Sequence, residues 1–139
     1  MSHSRRKRFS GDPGDTILFR SSFWELTRHL YVVVTPPDGD PPRVVIVGFT
    51  TKHRTSDTTV VLRPRHHPFF DRETVANYAH ASIRSVEALK ERIEDGIAEA
   101  HEPFSEDDLK LIQQGILQSR RTPHDIQDHC RKMFGDECE

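Results

Sequence analysis

The sequence predicts an α+β domain, a small curved antiparallel sheet or barrel followed by C-terminal helices. Three observations carry that expectation. Runs rich in β-branched and aromatic residues crowd the first 84 positions, above all HLYVVVT at 29–35 and RVVIVGFTT at 43–51, and such residues suit a pleated, half-buried surface. The connection between them, PPDGDPP at 36–42, makes the pair a hairpin, because proline cannot continue a ladder and Asp-Gly turns the chain. From Ser85 onward the apolar residues recur at the three-to-four spacing of helices. Strands gathered ahead of helices argue for a sheet with its helices packed against one side.

Each element has a local reason. Residues 1–13 read as a disordered arm, basic through Arg5, Arg6, Lys7 and Arg8, and no apolar run follows them as a secretory leader would require. After the turn-rich SGDPGD at 10–15, Thr16–Arg20 is the first strand candidate, followed by a polar-aromatic connection with Phe23 and Trp24. His29–Thr35 and Arg43–Thr51 are the strong strands, and Gly48 inside the second marks a bulge or a close approach by another group. A polar loop, Lys52–Asp57, leads to a strand at Thr58–Arg63 that Pro64 ends. Asp71–Ala76 reads as a single helical turn and Asn77–Arg84 as a further strand. Ser85 caps a helix of about 86–95 with Val86, Leu89 and Ile93 on one face and Gly96 past its end. Ser105 and Asp108 resemble a capping box for a helix of about 106–119, striped by Leu109, Ile112 and Ile116. Thr122 and Pro123 open a third helix of about 123–134. The chain is thus one domain at 14–134, with a barrel at 14–84, helices at 85–134 and a frayed tail at 135–139.

At 139 residues, 34% apolar and 30% charged, the chain has room for one modest core under a heavily solvated surface. The net charge of −2 hides an asymmetry: residues 1–84 hold 13 Lys/Arg against 8 Asp/Glu, and residues 85–139 hold 7 against 14. Either the basic half meets nucleic acid or an acidic partner, or the acidic helices attract and occupy the basic face. Cys130 and Cys138 form neither a disulfide framework nor a zinc spacing, which points to a reducing, cytoplasmic compartment. No apolar run approaches the roughly 18–20 residues of a membrane span.

The chemistry concentrates at 63–80, RPRHHPFFDRETVANYAH. Histidine titrates nearest neutrality, and an imidazole beside a guanidinium can move a proton while the cation steadies a phosphate. His66 and His67, with Arg65 and Arg72 beside them, are therefore acid–base candidates. The alternative is structural: one histidine caps the strand end, and HPFF buries Phe69 and Phe70 as a plug. A second basic knot, Lys52, His53 and Arg54, follows the hydroxyls of Thr50 and Thr51 and suits phosphate recognition, or is simply a solvated loop tip. No metal site is expected, since adjacent histidines on an extended chain point to opposite faces and no zinc motif occurs. No Gly-rich phosphate loop is present, and no cofactor is expected.

The order GDT-strand, HLYVVVT, Pro/Gly loop, VVIVGFTT, polar loop, TTVVL resembles the core of the PemK/MazF plasmid-maintenance toxins over about residues 14–84, and more nearly an outlying uncharacterised group with HPF-like strings. The resemblance implies an SH3-like barrel with appended helices, a metal-independent endoribonuclease acting on RNA, a homodimer and a cognate antitoxin. The family's catalytic arginine opens the strand that is HLYVVVT here, so His29 stands where arginine is expected, with Arg28 just before it. The family's hydroxyl residue falls on Thr50 or Thr51. The expected RNA face thus bears His29, Thr50, Thr51, His53, His66 and His67, with Arg28, Lys52, Arg54, Arg65 and Arg72 as binding residues. The same barrel as a non-catalytic nucleic-acid- or protein-binding module is the alternative.

Overall fold

One antiparallel sheet, curled into a half-barrel, organises the chain: β1 (Thr16–Arg20), β2 (Arg28–Val33), β3 (Arg43–Thr51), β4 (Val61–Leu62), β5 (Thr74–Ser85) and β6 (Ala98–His101), in spatial order β4-β5-β3-β2-β1-β6. The helices are α1 (Val86–Glu94), α2 (Glu106–Gln118) and α3 (His124–Phe134). The structure, a computed structural model, describes residues 8–20 and 28–134. The expectations for the arm at 1–7, the Phe23–Trp24 connection and the tail at 135–139 lie outside them. No helix among the described residues is long and apolar enough to cross a membrane.

The predicted hairpin forms, with Tyr31 opposite Gly48 and Val33 opposite Ile46. Both helix caps also form, Ser85 Oγ accepting from Ala88 N–H and Ser105 Oγ from Asp108 N–H, each at 3.2 Å. Gly96 follows α1 at a φ of 77°, where glycine lacks the Cβ that penalises this conformation.

Four expectations are corrected. Residues 74–76 are strand rather than a helical turn: Thr74, Val75 and Ala76 pair with Thr51, Thr50 and Phe49, and the ladder satisfies backbone groups that a lone turn would leave open. The strand expected at Thr58–Arg63 shrinks to two residues, because Asp57 takes both the N–H and the hydroxyl of Thr59 into a local turn. A short strand, β6, stands between α1 and α2; AEAH has little β-propensity, and only pairing with β1 makes it one. The N-terminal segment is also docked from residue 8 onward, since Phe9 is buried and Gly14 N–H donates to Val33 O at 2.8 Å.

The sheet has a core on each face. On the first, Leu30, Val32, Val45 and Val47 meet Ile112 and Ile116 of α2 and Ile126, Cys130 and Phe134 of α3. On the second, Ile17, Val33, Val44 and Ile46 meet Phe9 and Val86 and Leu89 of α1. This explains why β3 is buried without alternation from Val44 to Val47: both its sides are covered. Beyond Ile46 the second cover stops, and the strand continues as half-buried Gly48 and exposed Thr50.

Candidate functional site

Where α1 ends its cover, the second face opens into a groove of about 740 Å³, within the size range of ligand sites. Strand register builds its floor. Tyr31 of β2 pairs with Gly48 of β3, and Gly48 with Asn77 of β5. A Cβ on Gly48 would lie 2.8 Å from the Tyr31 ring, so the glycine lets that ring lie flat across β3. Phe19 of β1 meets Tyr31 edge to face, centroids 5.6 Å apart. His29, opposite Phe19 in the ladder, stands two residues before Tyr31 and shares its side of the strand.

β5 supplies the opposite wall through an irregularity. Ile46 and Gly48, two apart on β3, pair with Ser82 and Asn77, five apart on β5. The extra residues bulge: Tyr78 and Ala81 turn into the first core, while His80 stays exposed. Bulges of this kind re-aim side chains. The Asn77 amide lies 3.0 Å from His80 Nδ1 and orients the imidazole, and Arg84 Nε donates to Ser82 Oγ at 3.2 Å. Arg92 of α1 and Arg20 of β1 complete the rim.

The electrostatics are one-sided. Arg20, Arg84, Arg92, His29 and His80 line the groove, and no Asp or Glu does among the described residues. None of the three arginines has a carboxylate within ion-pair distance among those residues. Guanidiniums without a carboxylate partner among the described residues, set over a half-buried aromatic floor, have the chemistry to accept an anion.

The residues expected from sequence divide among several places. His29 and Thr50 come together in the groove. Thr51, Lys52, His53, Arg54 and Arg72 surround a separate shallow site at the end of β3 with Glu73. Arg28 faces Glu99 at 3.8 Å, beside β6. Arg65 is exposed on the 3-10 turn Pro64–His66, where His66 Nδ1 accepts Arg63 N–H at 2.8 Å.

His67 departs from the expectation of a solvent-facing acid–base residue. It is 2% exposed. Its Nδ1 accepts Phe69 N–H at 3.1 Å, so the proton resides on Nε2, which donates to Glu102 O at 2.6 Å. Burial holds its pKa below the ordinary value. The ring packs against Phe70, Phe104 and His101 with centroids 4.9–5.6 Å away. HHPFF is thus a plug with its histidine inside, because proline and two phenylalanines carry the chain across an apolar cleft and the imidazole satisfies the polar backbone there.

The expectation that the acidic helices occupy the basic face is corrected for α2 and α3. They cover the first core, on the opposite side of the sheet from the groove. Among the described residues no three His, Cys, Asp or Glu side chains gather as a metal-ligand set.

Arg84, Arg92, Arg20 and Asn77 were not expected from sequence, and His80 entered only as a member of the histidine cluster at 63–80. One signal for them existed: on the strand expected at Asn77–Arg84, His80, Ser82 and Arg84 alternate onto one face. Arg92 depended on where α1 lands, which no local pattern encodes. No family model matches the chain, and no curated protein matches it.

Proposed function

We propose that the groove binds the phosphodiester backbone of single-stranded RNA and that the chain is a metal-independent endoribonuclease of the toxin type. The observation that supports this reading most is the set of three arginines, none with a carboxylate partner among the described residues, and two histidines around an aromatic floor that no described carboxylate lines. His29 stands where the resemblance places the family's arginine, and Thr50 is one of the two positions to which it assigns the hydroxyl. Both belong to this groove.

The chemistry would run by internal transfer. One imidazole takes the proton of the 2′-hydroxyl as its oxygen attacks phosphorus. The other gives a proton to the departing 5′-oxygen, leaving a 2′,3′-cyclic phosphate and a 5′-hydroxyl. Arg84 and Arg92 would steady the charge on the equatorial oxygens, and Thr50 would donate to one of them. His80, held by Asn77, and His29 share the acid and base roles. The homodimer and cognate antitoxin implied by the resemblance belong to this proposal.

The test is incubation of RNA with the protein in excess chelator, repeated with His29→Ala, His80→Ala and His66→Ala. Cleavage to cyclic-phosphate ends that falls at least a hundredfold in the first two and persists in the third is expected. If the parent binds RNA without cutting it, the fold serves as a binding module; if His66→Ala alone abolishes cleavage, the groove is the wrong site.

A further inference from the structure

We infer that the loop after β3 is a second phosphate-contact site for the strand that occupies the groove, so that the preferred ligand is an extended single-stranded RNA of several nucleotides rather than a mono- or dinucleotide. The inference rests on the groove reading and adds a direction and a length to it.

The loop is a built structure rather than a loose tip. His53 N–H donates to Ser56 Oγ at 2.8 Å, and Ser56 N–H returns to His53 O at 3.2 Å, closing a turn. Asp57, on its far side, accepts from Ser119 Oγ at 2.5 Å, and Arg121 Nη2 donates to Thr55 O at 3.0 Å. The α2–α3 corner thus ties down one end. Lys52 N–H donates to Glu73 O at 3.1 Å and anchors the other end to the start of β5. These bonds fix the backbone that carries Lys52 and Arg54, which reduces the loop-ordering part of the cost of binding.

The charges on it are available. Arg54 is exposed and has no carboxylate within ion-pair distance among the described residues. Glu73 is shared between Lys52 at 3.6 Å and Arg63 at 3.1 Å, so two cations face one carboxylate.

The path between the two sites is short. Thr50 lies on the groove side of β3 and Thr51 at the loop site. Arg54 is four residues beyond Thr50, at most about 14 Å along the backbone. A polyanion leaving the groove past Thr50 therefore meets Lys52 and Arg54 next, with hydroxyls lining the turn over the end of the strand. Cations spaced along a track contact successive phosphates and carry no base preference.

The experiment uses fluorescence anisotropy with single-stranded 2′-O-methyl RNA, which cannot be cleaved by 2′-hydroxyl attack, as random-sequence trimers and nonamers over a salt series. The proteins are the parent, the loop variant Lys52→Ala/Arg54→Ala and the groove variant Arg84→Ala/Arg92→Ala, each checked for an unchanged thermal melt. All four positions are exposed. The groove variant weakens both lengths. The loop variant weakens the nonamer about tenfold and leaves the trimer unchanged, and its salt slope for the nonamer falls by about 1.4, about 0.7 for each lost phosphate contact. Nonamer binding by the loop variant equal to the parent's overturns the second site while leaving the groove reading intact. An equal loss on trimer and nonamer overturns the track, because the loop then acts as a general attractor. Full binding of both lengths by the groove variant overturns the groove reading itself.

Discussion

The two faces of this sheet receive the same kind of strand and end in opposite states. On the first, α2 and α3 lie flat against Leu30, Val32, Val45 and Val47 and close a core so tightly that Gly115 has no room for a Cβ: one would lie 2.1 Å from Tyr78 Oη and 2.5 Å from Val60. On the second, α1 and Phe9 cover only part of the strands, and Gly48 is small so that Tyr31 can lie across β3 as an open floor. The first face closes completely, and the second joins a smaller core to arginines that have no carboxylate partner among the described residues, as expected where a rigid scaffold supports an exposed site.

The largest break in that comparison comes from Gly115→Ala. The new methyl must push Tyr78 off Ile112 O, to which it donates at 2.8 Å. Overpacking joined to a lost buried hydrogen bond predicts a loss of about 3 kcal/mol or more in urea unfolding. His67→Ala comes next, at about 2–4 kcal/mol, because it empties a buried site, takes the acceptor from Phe69 N–H and removes one of the donors to Glu102 O, which keeps Thr16 Oγ1. If this variant kept full stability, the plug would not be part of the core.

A pH series sharpens the same contrast. Burial lowers the pKa of His67, so the folded chain resists a proton that the unfolded chain accepts below its ordinary value of about 6.5. The contribution is complete above that pH and is lost as pH falls from there toward the depressed folded value. The urea midpoint is expected to drop between pH 7 and pH 5, and in His67→Gln, which does not titrate, that part of the slope is expected to vanish. An unchanged slope would place the acid sensitivity elsewhere.

The smallest stability effects fall on the open face. His80→Ala and Arg84→Ala are exposed and unpaired with any carboxylate among the described residues, so each is expected to stay within about 0.5 kcal/mol of the parent. Both are expected to impair RNA binding. Large destabilisation here would mean that the groove residues support the fold.

The same contrast explains what was legible in the sequence. Strand runs, turn residues and helix caps act over a few neighbours, and so β2, β3 and the three helices could be read directly. β6 could not, since Ala-Glu-Ala-His becomes a strand only through β1. The histidine pair at 66–67 stands out by composition, but whether an imidazole is buried depends on what Phe104 and the chain around His101 and Glu102 bring from a distant part of the sequence. His80 was visible in the same stretch, and its role followed only from the irregular pairing of β5 with β3. Arg92 depended on the docking of a helix. Local structure was written locally, and the site was written in register and packing.

The most direct test of the open groove as the functional face is amide chemical-shift mapping with a short single-stranded 2′-O-methyl RNA. The account predicts perturbations at residues 29–31, 48–50, 77–84 and 88–92, with 66–70 silent. Perturbations confined to 63–70, with the groove unmoved, would contradict it.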